Sequence, residues 1–218
     1  MGKPMSDQSP PPAGPRLFRP EAYVAQQPER IVRDFPFATL LSPALHATMT
    51  PILFERDDDA GTLVGHLARR GEHAQAMQSG DRVLAIFAGP HAYVSPRWYV
   101  EKPEVPTWNY LAAHVRGRLE VLDDDASQLA ILRRTIDRME AGATDPWTIE
   151  QAAEGRVQFL LPMIRSFRIH VDSIEGTTKL SQRHPEEDRR RVVAALRQER
   201  EPTIADFMAA DLDADPGR

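Results

Sequence analysis

The stretch FAGPHAYVSPRWYVEKPEVPTWNYLAAHVRG, residues 87–117, decides the fold. Between Phe87 and Tyr110 it holds six of the chain's fifteen aromatic residues: Phe87, Tyr93, Trp98, Tyr99, Trp108 and Tyr110. Pro90, Pro96, Pro103 and Pro106 interrupt it. Each proline lacks a backbone donor and crowds the residue before it, so one long helix is excluded. What remains is short β segments joined by rigid turns, with amphipathic rings held at fixed points. Trp and Tyr carry an apolar body and a polar tip. On composition alone the rings fill a barrel core or form a surface for a flat ligand or a second subunit, and both readings stay open.

Working outward, RVLAIFAG (82–89) reads as a buried strand, apolar from Val83 to Ala88, and LAAHVRGRLEVL (111–122) is mostly β-patterned. Upstream, FATLLS (37–42) has strand length, and a second strand runs through Thr48–Phe54 with Pro51 marking an edge or bulge. The turn signal Asp57-Asp58-Asp59-Ala60-Gly61 leads to a third strand at 62–66, and SFRIHVDSI (166–174) alternates as a sixth. Helices are predicted after Pro28, around His73–Gln78, from Asp123 or Asp124 to about Ala141, from Trp147 to Leu161, and from Pro185 through Arg197. Pro202 opens a last short one. Six or so strands, made antiparallel by their short connections, with helices clustered at the ends, predict an α+β fold with a β-barrel core. Residues 1–16, with five prolines and two glycines, read as a disordered lead. The domain is expected over 17–201, with a short helix and tail over 202–218.

Composition removes several classes of function. The 218 residues are 41% hydrophobic and 27% charged, ordinary for a globular chain. With no cysteine there are no disulfides, thiolate metal sites or cysteine nucleophiles. No apolar run approaches the roughly 20 residues that span a bilayer, and no signal segment follows Met1, so a cytoplasmic protein without membrane contact is expected. A net charge of −5 and a pI near 5.8 argue against a chain whose main task is gripping nucleic acid.

No local catalytic signature is present: G-x-S-x-G, H-E-x-x-H, a P-loop and G-x-G-x-x-G are all missing, and no residue is singled out as catalytic. His46, His66, His91 and His114 lie on four segments, so no metal site is expected. The segment GHLARRGEH (65–73) gathers Arg69, Arg70 and two histidines where a strand turns toward a helix. That chemistry suits a phosphate, although, taken alone, two solvated arginines on a loop account for it better. From Arg183 to Glu201 six arginines face five acidic residues, which describes a solvated packing helix better than a DNA-contacting one.

Taken in order, PFATL (36–40), GHLAR (65–69), VLAIFAGPHAYVSPRWY (83–99), VPTWNYLAAHVRG (105–117), DPW (145–147) and KLSQ (179–182) resemble the PaiB-type FMN-binding negative transcriptional regulators, over roughly residues 17–200. That family is similar to the flavin split-barrel proteins, which include pyridoxamine phosphate oxidases. The resemblance implies a six-stranded split barrel, a homodimer and FMN at the subunit interface. It places His66, Leu67 and Arg69 at the phosphate, and Trp108, Asn109, Tyr110 and His114 along the flavin. Lys179, Ser181 and Gln182 would close the ring edge, with Lys179 near the electron-rich side of the flavin. It also implies a bacterial regulator contacting DNA, with an FMN-dependent oxidoreductase or a cofactor-free interaction dimer as alternatives. The chain departs from the family pattern at Met49-Thr50-Pro51, where His-x-Pro is expected, at Arg70-Gly71-Glu72 after GHLAR, and at Arg183-His184 after KLSQ.

Overall fold

Alternation of apolar side chains builds six strands, and the strands close on themselves. In the computed structural model, which describes residues 16–100, 105–198 and 202–214, these are β1 (Phe37–Leu41), β2 (Ala47–Arg56), β3 (Asp59–Ala68), β4 (Arg82–Val94), β5 (Thr107–Leu122) and β6 (Ile164–Lys179). They form an antiparallel barrel in the order β1-β2-β3-β6-β5-β4. All six expected strands are found. The disordered lead falls, apart from Arg16, outside the described residues.

Leu40, Ile52, Leu63, Phe87, Val115 and Ile169 point inward and are essentially solvent-free. Within 83–88 of β4 only Val83, Ala85 and Phe87 do so, whereas Leu84 and Ile86 are half-buried and Ala88 is exposed. The apolar run 83–88 is therefore not a strand buried on both faces, as its composition implies. It is a half-buried strand whose outer face is also apolar.

The prolines do not chop the chain into short segments either. β4 runs through Pro90 by means of a bulge between Ala88 and His91, where a missing donor costs no ladder bond. Pro96 starts a one-turn 3-10 helix (Pro96–Trp98). A second bulge lies on β6, where Asp172 is the extra residue opposite Arg116 and Gly117 of β5. There the backbone of β6 comes so close that a Cβ on Gly117 would run into the His170 carbonyl.

The barrel is strongly sheared. Ser166 on β6 pairs with His66, which sits beside Pro51 of β2; Pro51 pairs with Phe37, next to Ala88; Ala88 pairs with Ala112, and Ala112 with Thr177. One circuit thus returns to β6 eleven residues along, from 166 to 177. This stagger leaves the end of β6 without a partner from β3. The segment before α1 (Pro28–Asp34) takes that place, with Val24 bridging to Thr177 and Ala25 N donating to Gly176 O at 3.0 Å.

Helices close the barrel ends and cover part of its outside. α1 sends Ile31 and Val32 into the core. α2 (Glu72–Ala76) fills the other end with Ala74 and, just past it, Met77. α3 (Asp125–Glu140) begins at Asp124, whose carboxylate accepts from Ser127 N at 2.8 Å, and it seats Ile131 against Val64 and Leu122 outside β3. The single helix expected from Trp147 to Leu161 is instead broken into a 3-10 turn (Ile149–Gln151), α4 (Arg156–Leu160) and another 3-10 turn (Leu161–Met163). Gly155 takes a left-handed φ of 73° between the first two, and Pro162 tightens the last. α5 (Glu186–Gln198) and α6 (Pro202–Ala214) pack on each other through Val192, Leu196, Ile204 and Met208, and α6 lies against β4. Among the described residues no helix is long and apolar enough to cross a membrane.

Candidate functional site

The outward side chains of β2, β1, β4 and β5 form an apolar sheet face. One register row across it reads Met49, Thr39, Ile86, His114, ending at Glu175 on β6. Phe37 and Met49 are 56% and 59% exposed. Farther along β4 and β5 the same face carries His91, Tyr93, Trp108 and Tyr110. The Trp108 ring lies 5.6 Å from His91 and meets Tyr93 edge-on at 6.3 Å. A contiguous apolar face of this kind marks an interaction surface rather than ordinary scattered exposure.

Two histidines flank it. His66 on β3 and His114 on β5 each bury Nδ1 with no hydrogen-bond partner among the described residues. Burial pulls the His66 imidazole below its ordinary range. It does the same to His114, where Arg116 adds to the effect and Glu175 opposes it. Both rings are therefore neutral near pH 7, and each offers one donor and one acceptor. A buried polar atom without a partner is costly, so these nitrogens have bonding capacity that the described residues do not use.

Next to His66, the backbone N of Arg69 donates to Met163 O at 2.8 Å. Its guanidinium spends Nε on Pro162 O (3.0 Å) and Nη1 on Asp123 (2.9 Å), leaving Nη2 without a partner among the described residues. Asp123 is shared with Arg165 at 3.1 Å, and hydrogen bonds from Arg165 first, then Arg69, hold its carboxyl below the usual range. Two guanidinium groups against one carboxylate leave a net positive corner, and Arg69 is posed in a fixed orientation there.

The other expected site residues separate into two groups. Trp108 and Tyr110 stand on the open face, and Lys179 lies opposite Tyr110, bonded to Thr107 Oγ1 and 5.7 Å from the Tyr23 ring centre. Leu67 turns its side chain into the core. Asn109 is fully buried, donating to Ser181 Oγ at 3.0 Å and to the sulfur of Met208 at 3.2 Å, while Ser181 takes a left-handed φ of 62°. Gln182 accepts from Leu180 N at 2.8 Å and donates to Thr178 O at 2.6 Å. In one chain these last three brace the strand ends rather than present themselves to a ligand.

His66 and His114 lie four strand spacings apart around the face, roughly 20 Å at about 4.8 Å per strand. Phe37, Ile86 and Ala88 between them carry no site role in the sequence reading, and Met49 stands out there only as a departure from the family pattern. Their signal is the apolar character of the alternate positions in β1 and β4, which looks the same whether a face is buried or open. Among the described residues no group of three or more His, Asp or Glu side chains is placed to hold a metal.

With this geometry in place, comparison with known proteins is informative. A family model described as "Putative FMN-binding domain" matches residues 17–173. The chain is 33% identical over 158 residues to "Protease synthase and sporulation protein PAI 2" of Bacillus subtilis, covering 72% of this chain and 74% of that one. It is 27% identical over 211 residues to an uncharacterized protein of Emericella nidulans, covering 77% and 84%. Among solved structures, an FAD and heme binding protein from Mycobacterium smegmatis shares the fold with a TM-score of 0.52 and 21% identity, covering 72% of this chain and 73% of that one. The flavocytochrome Anf3 from Azotobacter vinelandii also gives a TM-score of 0.52, with 13% identity and coverage of 72% and 68%.

Proposed function

The chain belongs to the FMN-binding domain family whose model spans residues 17–173, and from that premise we propose that it works as a homodimer holding FMN against the open sheet face at the subunit interface. The observation that carries this reading is the apolar face rimmed by the unpaired nitrogens of His66 and His114. A second copy laid on Phe37 and Met49 would bury them and place one chain's Arg69 corner near the other's Trp108–His114 edge. Arg69 fits the phosphate as a charge-assisted donor through its free Nη2. Trp108 and Tyr110 fit the flat ring, with Lys179 at its rim. Bound FMN would supply electron or hydride transfer; the chain's residues bind it, orient it and exclude water. Purified protein titrated with FMN and followed by the visible flavin bands tests this. Saturable binding at one flavin per chain is expected, and no binding with FMN in excess would sink the proposal.

The output we assign is control of gene expression in response to redox or metabolite state, supported by the likeness to the B. subtilis sporulation protein. A second reading, an FMN-dependent oxidoreductase, is favoured by the charge balance of α5. Arg190 pairs with Glu186 at 2.7 Å and Arg197 with Asp206 at 3.2 Å, while Arg191 donates to Trp98 O at 2.8 Å, so this helix offers little free charge to DNA. Salt-dependent binding to the gene's own upstream DNA, set against random duplex, separates the two. Equal affinity for both duplexes removes the regulator, and absence of NAD(P)H-driven flavin reduction removes the oxidoreductase.

A further inference from the structure

Glu175 is a carboxylate held by several partners beside the open face, and neither the barrel nor a flavin explains all of them. It is 9% exposed. Arg116 Nη1 reaches its Oε2 at 2.7 Å from the neighbouring strand. Arg19 Nη2 reaches Oε1 at 3.0 Å from the N-terminal arm, and the backbone N of Leu17 donates to Oε2 at 3.2 Å. Arg19 Nη1 also donates to Gly176 O at 3.4 Å. One carboxylate thus gathers two cations and a backbone donor, closing an arm more than 150 residues away in sequence onto β6. In register, Glu175 lies opposite His114, whose Nδ1 is buried and unpaired. Ile86, on the other side of His114, carries no charge. The charges facing His114 are therefore Arg116 on its own strand, Glu175 across the β5–β6 pair, and Arg19 acting through Glu175.

We propose that the arm from Leu17 to Ala25 is a clasp, and that Arg19, by sharing Glu175 with Arg116, weakens the pull of Glu175 on a proton at His114 while the arm is docked. Docked, Glu175 is saturated by two guanidinium groups and pulls little on a proton at His114. Released, the arm withdraws one of those cations, and Glu175 then favours imidazolium. A charge would appear on the surface assigned to the flavin, where a cation stabilises the reduced cofactor. That last consequence rests on the flavin reading; the clasp itself does not. Arg19 is a positioning residue here, since it touches Glu175 and not His114.

The test uses the full chain without added flavin. Imidazole proton shifts of His114 are followed against pH by NMR, and hydrogen exchange at Leu17 and Ala25 reports arm docking. Arg19→Gln and Glu175→Gln both break the clasp, so exchange at Leu17 speeds up in each. The His114 midpoint moves up in Arg19→Gln, where an undersaturated carboxylate remains, and down in Glu175→Gln, where it is gone. Arg19→Lys keeps the charge and holds the midpoint near that of the native chain. A purely mechanical strap would move both Gln variants in the same direction through loss of burial. That result, or an unmoved His114 in Arg19→Gln with the arm released, overturns the proposal. FMN titration of the same proteins is scored separately, so absence of flavin binding with opposite His114 shifts would sink the flavin reading and leave the clasp standing.

Discussion

His73 sits 6% exposed in the plug at one barrel end, with Nδ1 2.9 Å from Thr48 Oγ1 and its ring stacked 5.4 Å from that of His46. Burial first, and His46 second, push its imidazole below the ordinary 6.5. A group that resists protonation in the folded chain binds more protons when unfolded. Its contribution is therefore present above about pH 6.5 and is lost as pH falls from there toward the lowered folded value. His66 and His114 are shifted the same way and act with the same sign. Thermal midpoints are expected to fall on acidification below pH 6.5, and His73→Gln to flatten part of that slope. An unchanged slope in His73→Gln would mean that the ring is protonated without opening the plug. At Arg69 the expectation concerns the ligand. Arg69→Ala weakens FMN by about 1–3 kcal/mol in a binding titration if Nη2 holds the phosphate. Stability changes little, because the Arg69–Asp123 pair is more than a third exposed. Arg69→Lys restores the charge without the fixed fork and recovers only part of the affinity.

At the scale of elements, the strands were legible because each carries an alternating or apolar run between strong turns, as at Asp57–Gly61. α3 was legible from its capping aspartate and apolar spacing. The 147–161 region was not, since its breaks come from Gly155 and Pro162 acting at two separate points inside an otherwise helical pattern. The bulges at Ala88–His91 on β4 and at Asp172 on β6 were hidden for a related reason: an extra residue leaves the pattern of side-chain types almost unchanged. Gly117, opposite the second bulge, yields a prediction of its own. A methyl there meets the His170 carbonyl and the Ile169 side chain at 2.6 Å, inside a paired strand that has nowhere to move. Gly117→Ala should destabilise the barrel by about 1–3 kcal/mol in denaturant unfolding. Gly142→Ala, with nothing within 4 Å, should leave stability nearly unchanged. Similar costs at the two positions would mean that the close approach of β5 and β6 at Gly117 relaxes freely.

For the whole molecule, the open face separates what the barrel needs from what an assembly needs. The core closes on its own: α1 and α2 fill the barrel ends and α3 covers the outside of β3. Phe37 and Met49 contribute little to that core, being more than half exposed. A charge placed there meets water in a monomer and an apolar partner in a dimer. Phe37→Asp and Met49→Asp should therefore leave the thermal midpoint of dilute protein close to native, while shifting sedimentation from two chains toward one. Burying an unpaired carboxylate in an interface costs several kcal/mol, enough to lower a micromolar or weaker association below detection. FMN affinity should be lost together with the dimer, because each half of the cradle then lacks the other. Met139→Asp, on α3 and also exposed, serves as the matched control and should change neither assembly nor flavin binding. If Phe37→Asp and Met49→Asp stay dimeric and still bind FMN, the subunits meet on another surface, and the two flanking histidines serve a ligand held within one chain.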